Sequence, residues 1–146
     1  MTHTDDRSLV EQFLEENVLF LGPDPEIMND HKIAPETPRE KQALAHFSDP
    51  ELTNLVRHKL QTACNESLDM VEQMGAAPGA KWGDLISGVW TASGDLAMSS
   101  VGGVLLFSVL TQHPVKFILK YWANEPTVGI REGDIFMHND PRYTNI

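Results

Sequence analysis

The chain has 146 residues, 41% of them apolar, so it is long enough to bury a core of its own. Its 21 acidic and 11 basic residues give a formal charge of −10, which disfavours binding to nucleic-acid phosphates or to an anionic membrane surface. The single cysteine, Cys64, excludes an internal disulfide and a multi-cysteine zinc site, and the lack of a signal peptide or a membrane-length apolar run predicts a cytoplasmic protein.

An acidic, proline-containing leader at residues 1–50 is predicted to be distinct from the body of the chain at residues 51–146. Residues 1–51 carry twelve acidic and four basic side chains, whereas the remainder has a net charge of only −2. Four apolar residues at helical spacing predict a short leader helix: Val10, Phe13, Leu14 and Val18. Prolines predict that residues 22–38 are irregular and extended. Because an amphipathic helix this short needs a cover, we expect the leader to dock on a partner, with a solvated arm as the alternative.

The body opens with a long predicted helix that begins at a cap formed by Ser48 or Asp49 and ends at Gly75. Pro50 suits its first turn, because that position needs no amide hydrogen. Its apolar stripe consists of Leu52, Leu55, Val56, Leu60, Ala63, Cys64, Ser67, Val71 and Met74. Since Cys64 lies on this stripe, we expect a buried, unreactive thiol and not a nucleophile.

A β-hairpin is predicted to follow the long helix. Residues 85–91 have the composition of a strand, residues 92–95 that of a turn, and residues 96–98 can return antiparallel to the first strand.

A further helix and a short terminal strand complete the predicted elements. The helix is expected from about Pro114 to Asn124, and residues 135–138 are expected to form the strand after a turn at 129–134. A leader helix, a long helix, a hairpin, another helix and a last strand together predict an α+β fold, which we expect a partner subunit to complete.

The sequence carries no self-contained nucleotide or metal motif. It has neither a G-x-x-x-x-G-K-[ST] nor a G-x-G-x-x-G sequence, and none of its six histidines forms an H-x-x-H or H-E-x-x-H pair. His58, on the long helix, is expected to be a surface or packing residue. His138 and Asp140 could share one face of a strand and bind a metal together, although two ligands do not make a site.

Residues 133–141, with the sequence GDIFMHNDP, resemble the GD-x-[FI]-x-x-NDP segment of the hydantoinase B family. Residues 92–96 and 99–102 are similar to a second passage of that family, x-x-GD-L-[LV]-x-x-x-G, and residues 119–122 follow at a matching separation. The resemblance covers residues 51–146, about two-thirds of the chain.

This family includes one type of large subunit of the ATP-dependent acetone and acetophenone carboxylases. The resemblance therefore implies a small subunit of such a complex, supporting the carboxylation site of a larger hydantoinase B-like subunit and inactive alone. A hydantoinase A-like subunit would bind ATP and phosphorylate an enolate or bicarbonate, and the B-like module would join the activated ketone to the carboxyl donor. A non-catalytic assembly subunit, or a part of a hydantoinase- or oxoprolinase-type amide hydrolase, is the alternative.

The resemblance also implies a divalent metal (zinc, manganese or magnesium) in the assembled complex. Family members place a metal-binding H-x-x-D after the NDP segment, and its histidine would fall immediately after Ile146. Thr144 stands where the family prefers glycine, and residues 106–110 lack the histidine and glycine of the family's H-x-G-x-M segment. We therefore expect the metal ligands to come from elsewhere, either from a separately encoded partner or from a longer polypeptide of which this chain is a piece.

Asp140 and Asn139 are the candidate site residues that follow from the resemblance. In the functional interpretation, Asp140 orients a metal-bound histidine of the partner by accepting its other ring N–H. In the simpler interpretation, both side chains only shape the turn before Pro141.

Overall fold

The computed structural model describes residues 24–30, 32–47, 49–126 and 129–144. The predicted leader helix at Val10–Val18 and the candidate cap Ser48 lie outside these residues. In chain order the elements are α1 (Pro25–Met28), α2 (Pro38–His46), α3 (Pro50–Met74), α4 (Pro78–Lys81), β1 (Gly88–Trp90), β2 (Leu96–Ser99), α5 (Leu105–Leu110), α6 (Gln112–Phe117), a π-helix (Ile118–Trp122) and α7 (Pro141–Thr144). Helices combined with one antiparallel hairpin confirm the predicted α+β class.

The chain forms two compact units, and the predicted boundary at residue 50 stays a prediction. The described residues of the first unit are 24–30, 113–126 and 129–144, and the second unit is the continuous stretch 32–112. The leader as a separate segment stays a prediction. Of the helices in the described ranges, none is both long enough and apolar enough to cross a bilayer.

Helix α3 dominates the second unit and has the predicted bounds. The Asp49 carboxylate accepts hydrogen bonds from the amides of Glu51 at 2.9 Å and Leu52 at 3.5 Å, which satisfies donors that the first turn leaves unpaired. Cys64 and Leu68 are buried, so the predicted placement of Cys64 is confirmed. The rest of the predicted stripe is largely exposed, which the sequence pattern did not anticipate.

The predicted hairpin is confirmed, with shorter strands than expected. Gly88 pairs with Ser99, Val89 with Met98 and Trp90 with Leu96, with an irregularity between Val89 and Trp90. Residues 85–87 are not a strand, although the Ser87 carbonyl still accepts from the Ser100 amide at 2.8 Å.

Helix α3 lies against the hairpin through polar side chains as well as through its buried face. The Gln61 amide group donates to the Ser99 carbonyl at 2.6 Å, and Asn65 Oδ1 accepts from the Val101 amide at 2.9 Å. Gly103 follows in the left-handed region at φ +85°, and a Cβ there would overlap the Leu85 carbonyl oxygen. Only glycine suits that close approach of two backbone segments.

The first unit is built around a small aromatic core of Ile27, Phe117 and Tyr143. The predicted helix at 114–124 is confirmed in part, because it starts earlier, at Gln112, and continues from Ile118 to Trp122 as a π-helix. At the end of this π-helix the Ala123 amide donates to the Ile118 carbonyl oxygen at 3.0 Å. That oxygen lies five residues earlier, whereas an α-helical amide donates to the carbonyl four residues earlier.

The predicted terminal strand at 135–138 is wrong. A strand needs a neighbour to satisfy its backbone groups, and no described strand pairs with these residues. The segment runs without regular structure from the turn at Arg131–Asp134, where the Asp134 amide donates to the Arg131 carbonyl at 3.1 Å, to helix α7. The alternating apolar pattern of Ile135 and Met137 therefore reflects exposed side chains and not a buried strand face.

Candidate functional site

A cleft of about 300 Å³ in the first unit is the candidate site. Apolar side chains form most of its wall, and four of them are aromatic: Phe117, Trp122, Phe136 and Tyr143. All three residues singled out from the sequence, His138, Asn139 and Asp140, also line this cleft. An apolar cavity with a few polar groups at one side is the usual form of a ligand or partner site.

Tyr143 holds the base of the cleft in place, with only 2% of its surface exposed. Its ring packs edge-on against Phe117, with centroids 5.1 Å apart, and lies 6.0 Å from the His138 ring. Its hydroxyl accepts from the Asp24 amide at 2.8 Å, and its carbonyl oxygen lies 3.2 Å from Nδ1 of the buried His113. Burial raises the pKa of the Tyr143 hydroxyl, so this group stays protonated at neutral pH.

Asp140 is the best-fixed of the three predicted residues. Its carboxylate accepts Nε of Arg142 at 2.9 Å and 3.0 Å on its two oxygens, and Oδ1 also accepts the Arg142 amide at 3.0 Å. The guanidinium and amide together lower the pKa of Asp140 to about 2, against the opposing effect of burial. Asp140 therefore acts here as the N-terminal cap of α7, a role consistent with the simpler interpretation of the NDP turn.

Asn139 and His138 are less constrained, since both are exposed at the edge of the cleft. The His138 ring contacts the Tyr143 ring. Neither side chain is held in a geometry that selects a ligand.

The described residues do not fit a metal held by this chain alone. Within ranges 24–30, 32–47, 49–126 and 129–144, no three His, Cys, Asp or Glu side chains converge. The carboxylate of Asp140 is engaged by Arg142, and a metal needs three or four protein ligands to be held firmly.

An ionic cluster beside the cleft was missed by the sequence reasoning. Asp24 Oδ2 accepts Lys120 Nζ and the Tyr121 hydroxyl, each at 2.6 Å, and Lys120 also reaches Glu26 Oε2 at 2.7 Å. Burial of Asp24 raises its pKa, but these hydrogen bonds and that from the Glu26 amide outweigh burial and bring the pKa down to about 2. The cluster ties the start of α1 to the π-helix.

A sequence signal for part of this arrangement does exist. Asp24 and Asp140 are each followed by proline, as Asp49 is at the start of α3. Aspartate at the cap and proline at the first helical position is a helix start in all three places. The long-range partners of Asp24 carry no comparable local signal.

No protein-family model, curated protein or solved structure matches this chain. The resemblance to the hydantoinase B family therefore remains a hypothesis that stands on residues 133–141 and the shorter passages upstream.

Proposed function

We propose that this chain is the small subunit of an ATP-dependent ketone carboxylase complex of the acetone or acetophenone type, acting in the cytoplasm. In this proposal a larger hydantoinase B-like subunit carries the metal and the carboxylation site, and a hydantoinase A-like subunit binds ATP. The chain supports the larger subunit's site with the cleft and the segment beside it.

The observation that carries the proposal is the exposure of apolar side chains in the segment that resembles the family. Ile135 is 89% exposed and Met137 95% exposed, on either side of Phe136, which lines the cleft. Large apolar groups presented by a segment without regular structure are typical of a surface that another chain covers. Burying such a pair against a partner removes apolar area from water, which favours association.

The chemistry of the described residues also supports a dependent role. The cleft offers aromatic walls and a hydrogen-bonding edge, which can position a neighbouring loop or a substrate group. Phosphorylation of a ketone-derived enolate or of bicarbonate needs a nucleotide site, which the proposal assigns to the partner.

Substitution of the exposed pair tests this interface. The chain is co-expressed with the hydantoinase A-like and B-like subunits that the proposal requires, and the double variant I135E/M137E is compared with the unaltered chain. We expect at least a tenfold loss of co-purified larger subunit, because two carboxylates would have to be desolvated in the interface. Ketone-dependent carboxylation should fall in parallel.

Ile33→Glu is the matched control, because Ile33 is 85% exposed and belongs to the second unit. It should leave co-purification unchanged, and far-ultraviolet circular dichroism should show that both variants fold. Full co-purification of the double variant, or no larger subunit bound to the unaltered chain, contradicts the proposal.

The geometry of Asp140 favours a second candidate, a non-catalytic assembly subunit of the same kind of complex. The Arg142 guanidinium donates to both carboxylate oxygens, so Asp140 already has hydrogen-bond partners without a partner histidine. In that case removing this subunit from the complex would lower its melting temperature more than its turnover per assembled complex.

A further inference from the structure

Helix α3 carries a second apolar face that nothing in the described part of the chain covers. At 100° per residue, five residues fall within about 40° of one another around the helix axis: Leu52, Val56, Ala63, Met70 and Met74. All five are exposed, with Met70 at 59% and Met74 at 78%. The buried residues Cys64 and Leu68 lie about 100° to 140° from Ala63 on the side that meets the hairpin.

This face, called the outer face of α3, is symmetric about its own centre. Leu52 and Met74 each lie eleven residues from Ala63, and Val56 and Met70 each lie seven residues from it. The seven-residue steps are those of helices that pack side by side along their length. The small residue at the centre allows two helices to approach closely where they cross.

Two charged residues beside the outer face lie at nearly equal distances on either side of Ala63, and they have opposite charges. Lys59 lies four residues before Ala63 and Glu66 three residues after it, and both fall on the same flank of the apolar stripe. When two such helices run antiparallel with Ala63 against Ala63, Lys59 of each copy lies within one residue of Glu66 of the other. In a parallel pair the charged flanks of the two copies would lie on opposite sides of the interface, so Lys59 of one copy would not meet Glu66 of the other.

We infer that α3 pairs antiparallel with α3 of a second copy of this chain, with Ala63 at the crossing point. A two-fold interface uses one patch twice, so it requires a self-complementary surface, and the outer face meets that requirement in both shape and charge. Leu52 then packs near Met74 of the other copy, and Val56 near Met70. The inference is independent of the proposed function, because α3 belongs to the second unit and residues 135–137 to the first.

Charge reversal tests the pairing and its register. Sedimentation equilibrium of the isolated full chain should show a monomer–dimer equilibrium. We expect Lys59→Glu and Glu66→Lys each to raise the dissociation constant at least tenfold, and the double variant K59E/E66K to return it to within about threefold of the unaltered chain. Within one helix these residues are two turns apart, beyond the reach of an internal pair, so rescue reports a contact between copies.

Lys41→Glu is the control, since Lys41 is an exposed lysine of the same unit on α2. It should leave the dissociation constant unchanged. A chain that is monomeric at 100 µM, as expected if only a larger subunit covers this face, overturns the inference. So does a dimer that is insensitive to the single reversals or that the double reversal does not restore.

Cross-linking distinguishes antiparallel from parallel pairing. In a Cys64→Ala background, Ala63→Cys should join two copies through a thiol cross-linker of about 10 Å, the separation expected between packed helix axes. Gln73→Cys should not, because ten residues from the crossing point put the two positions about 30 Å apart in an antiparallel pair. Cross-linking at both positions, or at neither, overturns the inference.

Discussion

Asp24 and Asp140 each cap a helix and each bind a cationic side chain, yet they stabilise different things. Asp140 is bound by Arg142, two residues away, so its ion pair fixes only a local turn. Asp24 is bound by Lys120 and Tyr121, which lie nearly a hundred residues along the chain. Its hydrogen bonds therefore stabilise the tertiary structure of the first unit.

Asp24→Asn should destabilise the first unit by about 1 to 2 kcal/mol at neutral pH, because it removes charge-assisted hydrogen bonds from a carboxylate that is only 8% exposed. Urea unfolding followed by tyrosine and tryptophan fluorescence measures the change. Glu26→Gln is the control, since Glu26 meets the same lysine but is 83% exposed, and its loss should cost less than about 0.5 kcal/mol.

The same carboxylate makes stability depend on pH. The pKa of Asp24 is lowered in the folded chain to about 2 from its ordinary value of 3.8, so its contribution to stability is present above pH 4. It is lost as the pH falls from about 4 to about 2, where the folded state must also take up the proton. Asp24→Asn should flatten the stability curve in this window, and an unchanged slope would contradict the assignment.

Asp140→Ala distinguishes the two interpretations of the NDP turn. If Asp140 orients a partner's metal-bound histidine, the assembled complex should lose about tenfold to a hundredfold of its carboxylation rate while its composition is unchanged. Full activity of the Asp140→Ala complex would contradict this role. Loss of the larger subunit from the complex would instead indicate that Asp140 only shapes the turn. Arg142→Gln leaves the carboxylate in place and should retain most of the activity.

At the scale of elements, α2 shows how a helix without a core can persist. None of its residues is buried, so its ends must supply much of its stability. The Thr37 hydroxyl accepts from the Glu40 amide at 3.2 Å, and the Glu40 carboxylate accepts from the Thr37 amide at 2.6 Å. This reciprocal pair is a capping box.

Thr37→Ala should therefore remove the hydrogen-exchange protection of residues 39–46, at a cost of about 1 kcal/mol. Asp49→Ala removes the equivalent cap from α3, but that helix is held by its packing on the hairpin and should keep protection over its central turns. Exchange measured by NMR separates the two. Equal loss in both helices would show that caps and not packing hold α3.

Elements with local signals could be predicted from the sequence, and elements with distant causes could not. Asp49–Pro50 and Gly75 bound α3, and the turn at 92–95 places the hairpin, because capping and turn geometry depend on adjacent residues. The capping box at Thr37 and the Asp–Pro pairs at 24 and 140 are equally local, so α1, α2 and α7 could have been predicted from the same rule.

The π-helix is an element whose cause lies far away in the sequence. Residues 118–122 have an ordinary helical pattern, and the wider turn places Lys120 and Tyr121 together against Asp24. Asp24 lies 96 residues from Lys120, so the sequence near residue 120 gives no sign of this contact. The candidate cleft also depends on contacts between distant residues. Its edge at residues 138–140 could be predicted from the sequence, whereas Phe117, Trp122 and Tyr143 come together only when the chain folds.

At the scale of the whole molecule, the chain combines a net charge of −10 with many exposed apolar groups. Under the proposed function, the purified chain alone should show no ketone-dependent ATP hydrolysis, and activity should appear only when the larger subunits are added. Phosphate release with and without acetophenone is the measurement. A catalytically active isolated chain would contradict the subunit role.

The first unit is assembled from segments that the second unit separates along the chain, and this affects folding during synthesis. Residues 32–112 are continuous and can fold as soon as they leave the ribosome. Residues 24–30 must wait for Lys116, Lys120 and Tyr143, which follow their partners by 86, 96 and 119 residues, on the order of ten seconds at ordinary translation rates. When Gln112 has left the ribosome, the nascent chain thus holds one finished unit and an acidic segment whose counter-charges are still inside the ribosome.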